Sequence, residues 1–186
     1  MDQLAQRCDE GFDDLFPLAT ARVGQYVAAM EQTSSAFVVR PVPLHVFAEA
    51  RVECSDASGT PVVALEARGD EPLRCCLRNA RAGERLILFG YEPPLPPSPY
   101  REKGAIFGHE IACPGPSDLH SYPQAWRERP QVLRGYDERG WIKAAMVHDG
   151  TKPELEVTNM FEDRDVVEIH SRNIAYGCYM FSLRRA

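Results

Sequence analysis

Histidine and arginine residues interrupt segments that otherwise have the alternating pattern of β-strands. His109 lies in the segment 105–111, and His170 and Arg172 occupy alternate positions of the segment 169–173. Imidazole titrates near neutral pH, so His109 and His170 are candidate general acids or bases. A guanidinium binds two carboxylate oxygens at once, so Arg172 and Arg134 are candidate anchors for an anion. The alternatives are an internal salt bridge for each arginine and a hydrogen-bonded structural role for each histidine.

A cysteine and two tyrosines add further candidates. If the last two predicted strands form a hairpin, His170 or Arg172 would lie close enough to hold Cys178 as a thiolate nucleophile. A small buried thiol in a strand is also ordinary packing. Tyr100 or Tyr136 could donate a hydrogen bond to negative charge that develops on a substrate.

The segment His109-Glu110-Ile111-Ala112-Cys113 imitates half of a zinc-protease helix. It runs into Pro114-Gly115-Pro116, which predicts a strand and a turn, and no Cys-x-x-Cys pair or second ligand cluster accompanies it. Cys75 and Cys76 are adjacent in a predicted strand, so their side chains should point to opposite faces, which argues against a dithiol. Phosphate-binding loops and nucleophile elbows are absent from the sequence. We therefore expect no metal site and no cofactor.

These residues predict a cofactor-independent enzyme that uses general acid–base chemistry on an anionic or carbonyl-containing small organic molecule. One alternative is a binding or sensing module that uses the same pocket without chemistry. Another is a structural protein whose polar residues only satisfy one another. The candidate catalytic residues are His109, His170, Cys178 and Tyr100, and the candidate substrate-binding residues are Arg172, Asn173, Arg134, Tyr136 and Arg74.

The elements that must position these residues change in character along the chain. Residues 1–32 have helical spacing of apolar residues, and Pro17 separates two predicted helices. From residue 36 onward, short β-branched and aromatic runs alternate with turn residues, and two short helices are predicted at 123–129 and 153–161. Strands are predicted at 36–40, 45–53, 61–67, 73–77, 85–91, 105–111, 131–136, 141–147, 166–171 and 177–183.

This pattern predicts an α+β fold with a mainly antiparallel, strand-rich sheet, open to curvature or a barrel-like form. We expect residues 1–35 to form an N-terminal helical segment, which could mediate a homodimer, and residues 36–186 to form a single α+β domain. The 186 residues carry a net charge of −6, which disfavours nucleic-acid binding. The sequence shows no signal peptide and no spanning segment, so we expect a cytoplasmic protein without membrane contact whose six cysteines are free thiols.

From about Pro72 to its end, the chain resembles the bacterial family known as domain of unknown function 1203. That family has no established activity, so the resemblance implies a fold and assigns no catalytic residue. The chain departs from the pattern at Gly108-His109, where the family tends to have a valine and a basic residue, and at Arg172, where a second histidine is frequent. The matching motifs are Leu73-Arg74, Leu77-Arg78-Asn79-Ala80, Gly83-Glu84, Tyr91-Glu92, Ser98-Pro99-Tyr100-Arg101, Ala105-Ile106-Phe107, Leu133-Arg134, Tyr136-Asp137, residues 161–165, Ile169-His170, Asn173 and Gly177-Cys178-Tyr179.

Overall fold

A computed structural model describes residues 36–186. The helices predicted for residues 1–32 lie outside the described residues. Within 36–186, ten strands form two five-stranded sheets. The α+β class with mainly antiparallel pairing is confirmed. Neither sheet closes on itself, so the barrel-like alternative is wrong.

One sheet, here called the terminal sheet, is antiparallel throughout and has the order β1-β10-β9-β7-β8. Its central strand β9 is covered on both faces, and Glu168 through Arg172 are all buried. Charged residues of this strand must therefore find partners inside the protein. The strands are β1 (Phe37–Arg40), β7 (Gln131–Tyr136), β8 (Ile142–His148), β9 (Glu168–Asn173) and β10 (Tyr179–Arg185).

The other sheet, here called the middle sheet, has the order β2-β5-β6-β3-β4. Its pairs are antiparallel except β3 with β6, which run parallel with Leu73 opposite Phe107. Because these two strands run in the same direction, the residues that follow β3 and those that follow β6 lie at the same end of the sheet. The strands are β2 (Val63–Glu66), β3 (Pro72–Leu73), β4 (Arg78–Asn79), β5 (Arg85–Tyr91) and β6 (Gly104–His109).

Helix α1 (Leu44–Glu53) corrects the prediction of a strand at 45–53. That prediction rested on the β-branched and aromatic residues of the segment, but the residues that α1 buries are Phe47 and Ala50, which have helical spacing. Phe47 packs on β6 at Gly108, where an added Cβ would lie 2.3 Å from the ring. The helix-forming composition of this segment favours a helix over the predicted strand.

The two short helical predictions fared differently. Helix α2 (Pro153–Met160) confirms the helix predicted at 153–161, with Pro153 in its first turn and Val157 buried. The segment predicted at 123–129 forms only a 3₁₀ turn, Gln124–Trp126, which buries Trp126. Among residues 36–186, no helix combines the length and the apolar character that crossing a membrane requires.

Candidate functional site

A cavity of about 630 Å³ is lined by residues of both sheets. Its walls are largely apolar and include Phe107 of β6 and Met180 of β10. Three of the predicted site residues, Arg74, Asn173 and Cys178, lie on these walls. The cavity therefore has the size and the mixed lining of a small-molecule site.

Arg74 is the buried cation of this cavity, with 2% of its surface exposed. Its Nε donates to the carbonyl oxygen of Tyr179 at 2.8 Å, and its Nη1 donates to the carbonyl oxygen of Pro72. No carboxylate of residues 36–186 forms an ion pair with it. Burial lowers the pKa of Arg74 to about 10, so the side chain stays charged at neutral pH. The protein thus holds a buried positive charge that lacks a negative partner in the described part of the chain.

The turn between β9 and β10 supplies Asn173 and Cys178. The backbone N–H of Asn173 donates to the carbonyl oxygen of Cys178 at 3.0 Å, and Asn173 Oδ1 accepts from the N–H of Tyr176. The strands form the predicted hairpin, with Tyr179 opposite Arg172 and Ser182 opposite His170. Arg74 and Cys178 line the same cavity, and Arg172 Nη1 donates to the carbonyl oxygen of Gly177 at 3.1 Å.

A second group, the thiol–histidine cluster, consists of Cys75, Cys76, His109 and Cys113. Their Sγ and imidazole nitrogen atoms all lie within 4.8 Å of one another. Cys75 Sγ lies 3.9 Å from Cys76 Sγ and 3.4 Å from His109 Nδ1. The parallel pairing of β3 with β6 explains the convergence, because Cys75 and His109 each follow the paired residues Leu73 and Phe107 by two positions.

The strand predicted at 73–77 is wrong, and this error hid the cluster. Strand β3 ends at Leu73, and residues 74–77 form a turn closed by a hydrogen bond from the N–H of Leu77 to the carbonyl oxygen of Leu73. Leu77 has a φ of 58°, in the left-handed region. In such a turn, adjacent side chains no longer point to opposite faces, so the two thiols meet.

Neighbouring charges polarise the cluster. Arg78 Nη2 lies 2.9 Å from His109 Nε2, and Arg78 also forms a two-point ion pair with Glu84. Burial and Arg78 lower the pKa of His109. The hydrogen bond between the thiols raises the pKa of Cys75 and lowers that of Cys76, which favours a thiolate at Cys76.

A family model described as protein of unknown function (DUF1203) matches residues 70–185. The chain belongs to the DUF1203 family. The resemblance found in the sequence is thereby confirmed. Separate searches of curated proteins and of solved structures returned no significant match. The DUF1203 match covers Arg74, Asn173, Cys178 and the whole thiol–histidine cluster.

A third group within the DUF1203 region is a charge network around β9, in which His170, Arg172 and Glu168 are buried and Glu102 is exposed. Glu102 pairs with Arg172 and also with Arg134, whose Nη1 lies 2.8 Å from Glu102 Oε1. On the next part of β9, His170 Nε2 lies 3.4 Å from Glu168 Oε1, and the His170 ring packs against Tyr136 at 4.6 Å between centroids. The network satisfies the arginines through internal ion pairs, which is the alternative considered from the sequence.

The DUF1203 domain therefore distributes the predicted residues over separate places. Arg74, Asn173 and Cys178 share the cavity, His109 belongs to the thiol–histidine cluster, and Tyr100 is 37% exposed and packs edge-on against Trp141. The remaining four belong to the charge network around β9: His170, Arg172, Arg134 and Tyr136.

Sequence reasoning missed Glu102, Cys113 as a cluster member, and Trp126. Glu102 gave no signal, because a lone carboxylate in a polar loop resembles many surface residues. The sequence shows the spacing His109-x-x-x-Cys113, but the pair Cys75-Cys76 that completes the cluster comes from a turn far away in the sequence. Long-range pairing of this kind leaves no local pattern.

Arg172 allows a direct test of the structural role of the network. It is 3% exposed, and although Glu102 neutralises its charge, no group of residues 36–186 accepts a hydrogen bond from its buried Nε and Nη2. Arg172→Met should leave the free energy of unfolding unchanged or raise it by up to about 2 kcal/mol, because an unpaired buried polar group is removed. Glu102→Gln should lower it by about 2 kcal/mol, since the buried cation then loses its counter-charge. Urea denaturation measures both, and a larger loss in Arg172→Met than in Glu102→Gln would contradict this account.

Proposed function

We infer that the DUF1203 domain binds a small organic anion, most simply a carboxylate with an apolar body, in the cavity. The observation that carries this inference is the buried, charged guanidinium of Arg74, which has no carboxylate partner among residues 36–186. A buried charge without a counter-charge is costly, and a bound anion would remove that cost.

The shape and lining of the cavity support the same function. Arg74 Nε and Nη1 donate to backbone carbonyl oxygens, and Nη2 donates to no group of residues 36–186, which leaves that nitrogen for a ligand oxygen. Phe107, Trp126 and Met180 offer apolar surface for the body of the ligand. Asn173 and Cys178 stand at the same walls.

Acid–base catalysis by His109 and His170 stays a prediction. Neither histidine lines the cavity, so the geometry supports binding there more directly than the expected reaction. The binding or sensing module considered from the sequence is therefore the function that we favour. A cytoplasmic location and a homodimer stay predictions as well.

A matched pair of probes tests this function on the full chain. 3-Phenylpropanoate and its neutral counterpart 3-phenylpropan-1-ol share an apolar body and differ in charge. Isothermal titration calorimetry should show the acid binding at least about tenfold more tightly, because hydrogen bonds to charged groups contribute about 1.5–3 kcal/mol. Arg74→Met should abolish that preference and leave binding of the alcohol unchanged.

Arg68→Met is the matched control, because Arg68 lies at the same cavity but is exposed. It should change the affinity for the acid by no more than about twofold. Equal affinity of the wild-type chain for the acid and the alcohol would contradict the proposed function. A preference for the acid that survives in Arg74→Met would contradict the role of Arg74.

A further inference from the structure

The thiol–histidine cluster has the composition of a structural zinc site. Three thiols and one imidazole are the Cys₃His donor set that Zn²⁺ takes in closed sites. The four donors come from two places that the sheet brings together, the turn after β3 and the chain that leaves β6. Of the four residues, Cys75 is buried, and Cys76, His109 and Cys113 are partly buried.

The distances within the cluster fit a tetrahedral ion. With Zn–S bonds of about 2.3 Å and Zn–N bonds of about 2.05 Å, tetrahedral angles place two sulfurs about 3.8 Å apart and a sulfur and a nitrogen about 3.6 Å apart. The corresponding distances are 3.9 Å from Cys75 Sγ to Cys76 Sγ and 3.4 Å from Cys75 Sγ to His109 Nδ1. All remaining pairs of donor atoms lie within 4.8 Å. Small side-chain rotations would therefore close the site.

The surroundings suit the charge of such a site. Three thiolates, a neutral imidazole and Zn²⁺ sum to a charge of −1, and the thiol protons leave to solvent on binding. Arg78 lies beside the imidazole, and Arg51 donates to the carbonyl oxygens of His109 and Ile111. Both guanidinium groups would offset the negative charge.

A carboxylate lies near the imidazole nitrogen of His109 that would not bind the metal, as in many zinc sites. Glu84 Oε2 lies 3.8 Å from His109 Nε2, while Arg78 Nη2 lies 2.9 Å from the same nitrogen. Coordination through Nδ1 would place the proton on Nε2, so this nitrogen could no longer accept from Arg78, and a small shift of the two side chains would bring it from 3.8 Å to hydrogen-bond distance of Glu84.

We propose that Cys75, Cys76, His109 and Cys113 bind one Zn²⁺ ion in a closed structural site. The ion fastens the irregular segment 110–123, which contains Cys113, to the turn that carries Arg74. It has no open coordination position and therefore stabilises the fold without taking part in a reaction.

Metal content and coordination test this proposal on the full chain, produced with added zinc and purified without a metal-affinity tag. Elemental mass spectrometry should find one zinc ion per chain. X-ray absorption spectroscopy at the zinc K-edge should fit a coordination shell of three sulfurs and one nitrogen. Cys113→Ser and His109→Gln should each reduce the zinc content to below about one tenth, consistent with the loss of a ligand. Cys54→Ser is the matched control, because Cys54 is exposed and outside the cluster, and it should keep the full content.

Two further measurements do not depend on the variants folding well. Co²⁺ added to the metal-free wild-type chain should give the visible absorption of a tetrahedral ion with thiolate charge-transfer bands. Chelation of zinc should lower the melting temperature by about 5 °C or more and expose Cys75, Cys76 and Cys113 to N-ethylmaleimide. Full zinc content in Cys113→Ser, a wild-type chain that takes up neither Zn²⁺ nor Co²⁺, or a disulfide between two cluster cysteines would overturn the proposal. None of these results would bear on the cavity.

Discussion

Replacing Trp126 with alanine should lower the free energy of unfolding by about 4 kcal/mol, within the range for large buried aromatic residues. The side chain is 1% exposed and stacks on Phe181, with ring centroids 5.5 Å apart and an angle of 14° between planes. Its Nε1 donates to Asn79 Oδ1 at 2.8 Å, which connects the core of the terminal sheet to β4 of the middle sheet. The substitution therefore removes a core ring and a hydrogen bond between the sheets.

Two variants separate these contributions. Trp126→Phe keeps an aromatic ring and loses the hydrogen bond, so it should cost about 1–2 kcal/mol. Gln124→Ala changes an exposed residue of the same 3₁₀ turn and should stay within about 0.5 kcal/mol of the wild type. Urea denaturation followed by circular dichroism gives all three values. A loss below about 1 kcal/mol in Trp126→Ala would show that the core at this turn does not depend on the ring.

Strands whose ends carry strong turn signals were predictable from the sequence. The predictions 85–91 and 131–136 match β5 and β7 to the residue. Each of these runs follows a Gly or Pro turn and contains β-branched or aromatic residues at the spacing of a strand. Here local preference and the final fold agree, which is the condition under which a single sequence suffices.

The candidate site was less predictable, because its residues meet through long-range pairing. Cys75 and His109 lie far apart in the sequence, and nothing in the local pattern shows that β3 and β6 pair in parallel and bring them together. The turn at Leu77 was equally hidden, since leucine rarely adopts a positive φ and gives no turn signal. The local sequence therefore revealed neither the parallel pairing nor the turn that together form the thiol–histidine cluster.

Strand β9 is buried on both faces, which explains why the polar residues His170 and Arg172 in its sequence were compatible with both a functional site and an internal network. Alternation along a strand identifies a solvent face only when one face is open to water. On a central strand, a buried charged residue can pair with a group from another element, as Arg172 pairs with the exposed Glu102. A polar residue in an apolar run therefore indicates a partner elsewhere in the fold, and only a cavity beside it, as at Arg74, indicates a ligand.

Acidification from pH 7 to pH 5 should lower the free energy of unfolding by about 2–3 kcal/mol. Burial lowers the pKa of His170, and the nearby Glu168 only partly offsets this effect. Burial also lowers the pKa of His148, whose Nδ1 accepts from the N–H of Gly150 at 3.1 Å and would lose that bond on protonation. Because both folded pKa values lie below the unfolded value, the unfolded chain binds more protons as the pH falls. Stability is complete above about pH 6.5 and decreases below it.

Carboxylates do not account for this pH window. Burial raises the pKa of Glu168, but His170, Arg184 and Ser182 outweigh burial and lower it to about 2, so its contribution is lost only below about pH 4.5. His170→Leu should therefore remove about a third of the loss between pH 7 and pH 5, because His109 and His148 also have lowered pKa values and keep their shares. His45→Gln, at an exposed position of α1, should keep the whole loss. Urea titrations at several pH values measure the loss, and an unchanged pH dependence in His170→Leu would show that this imidazole has the same pKa in the folded and the unfolded chain, contrary to the effect of burial.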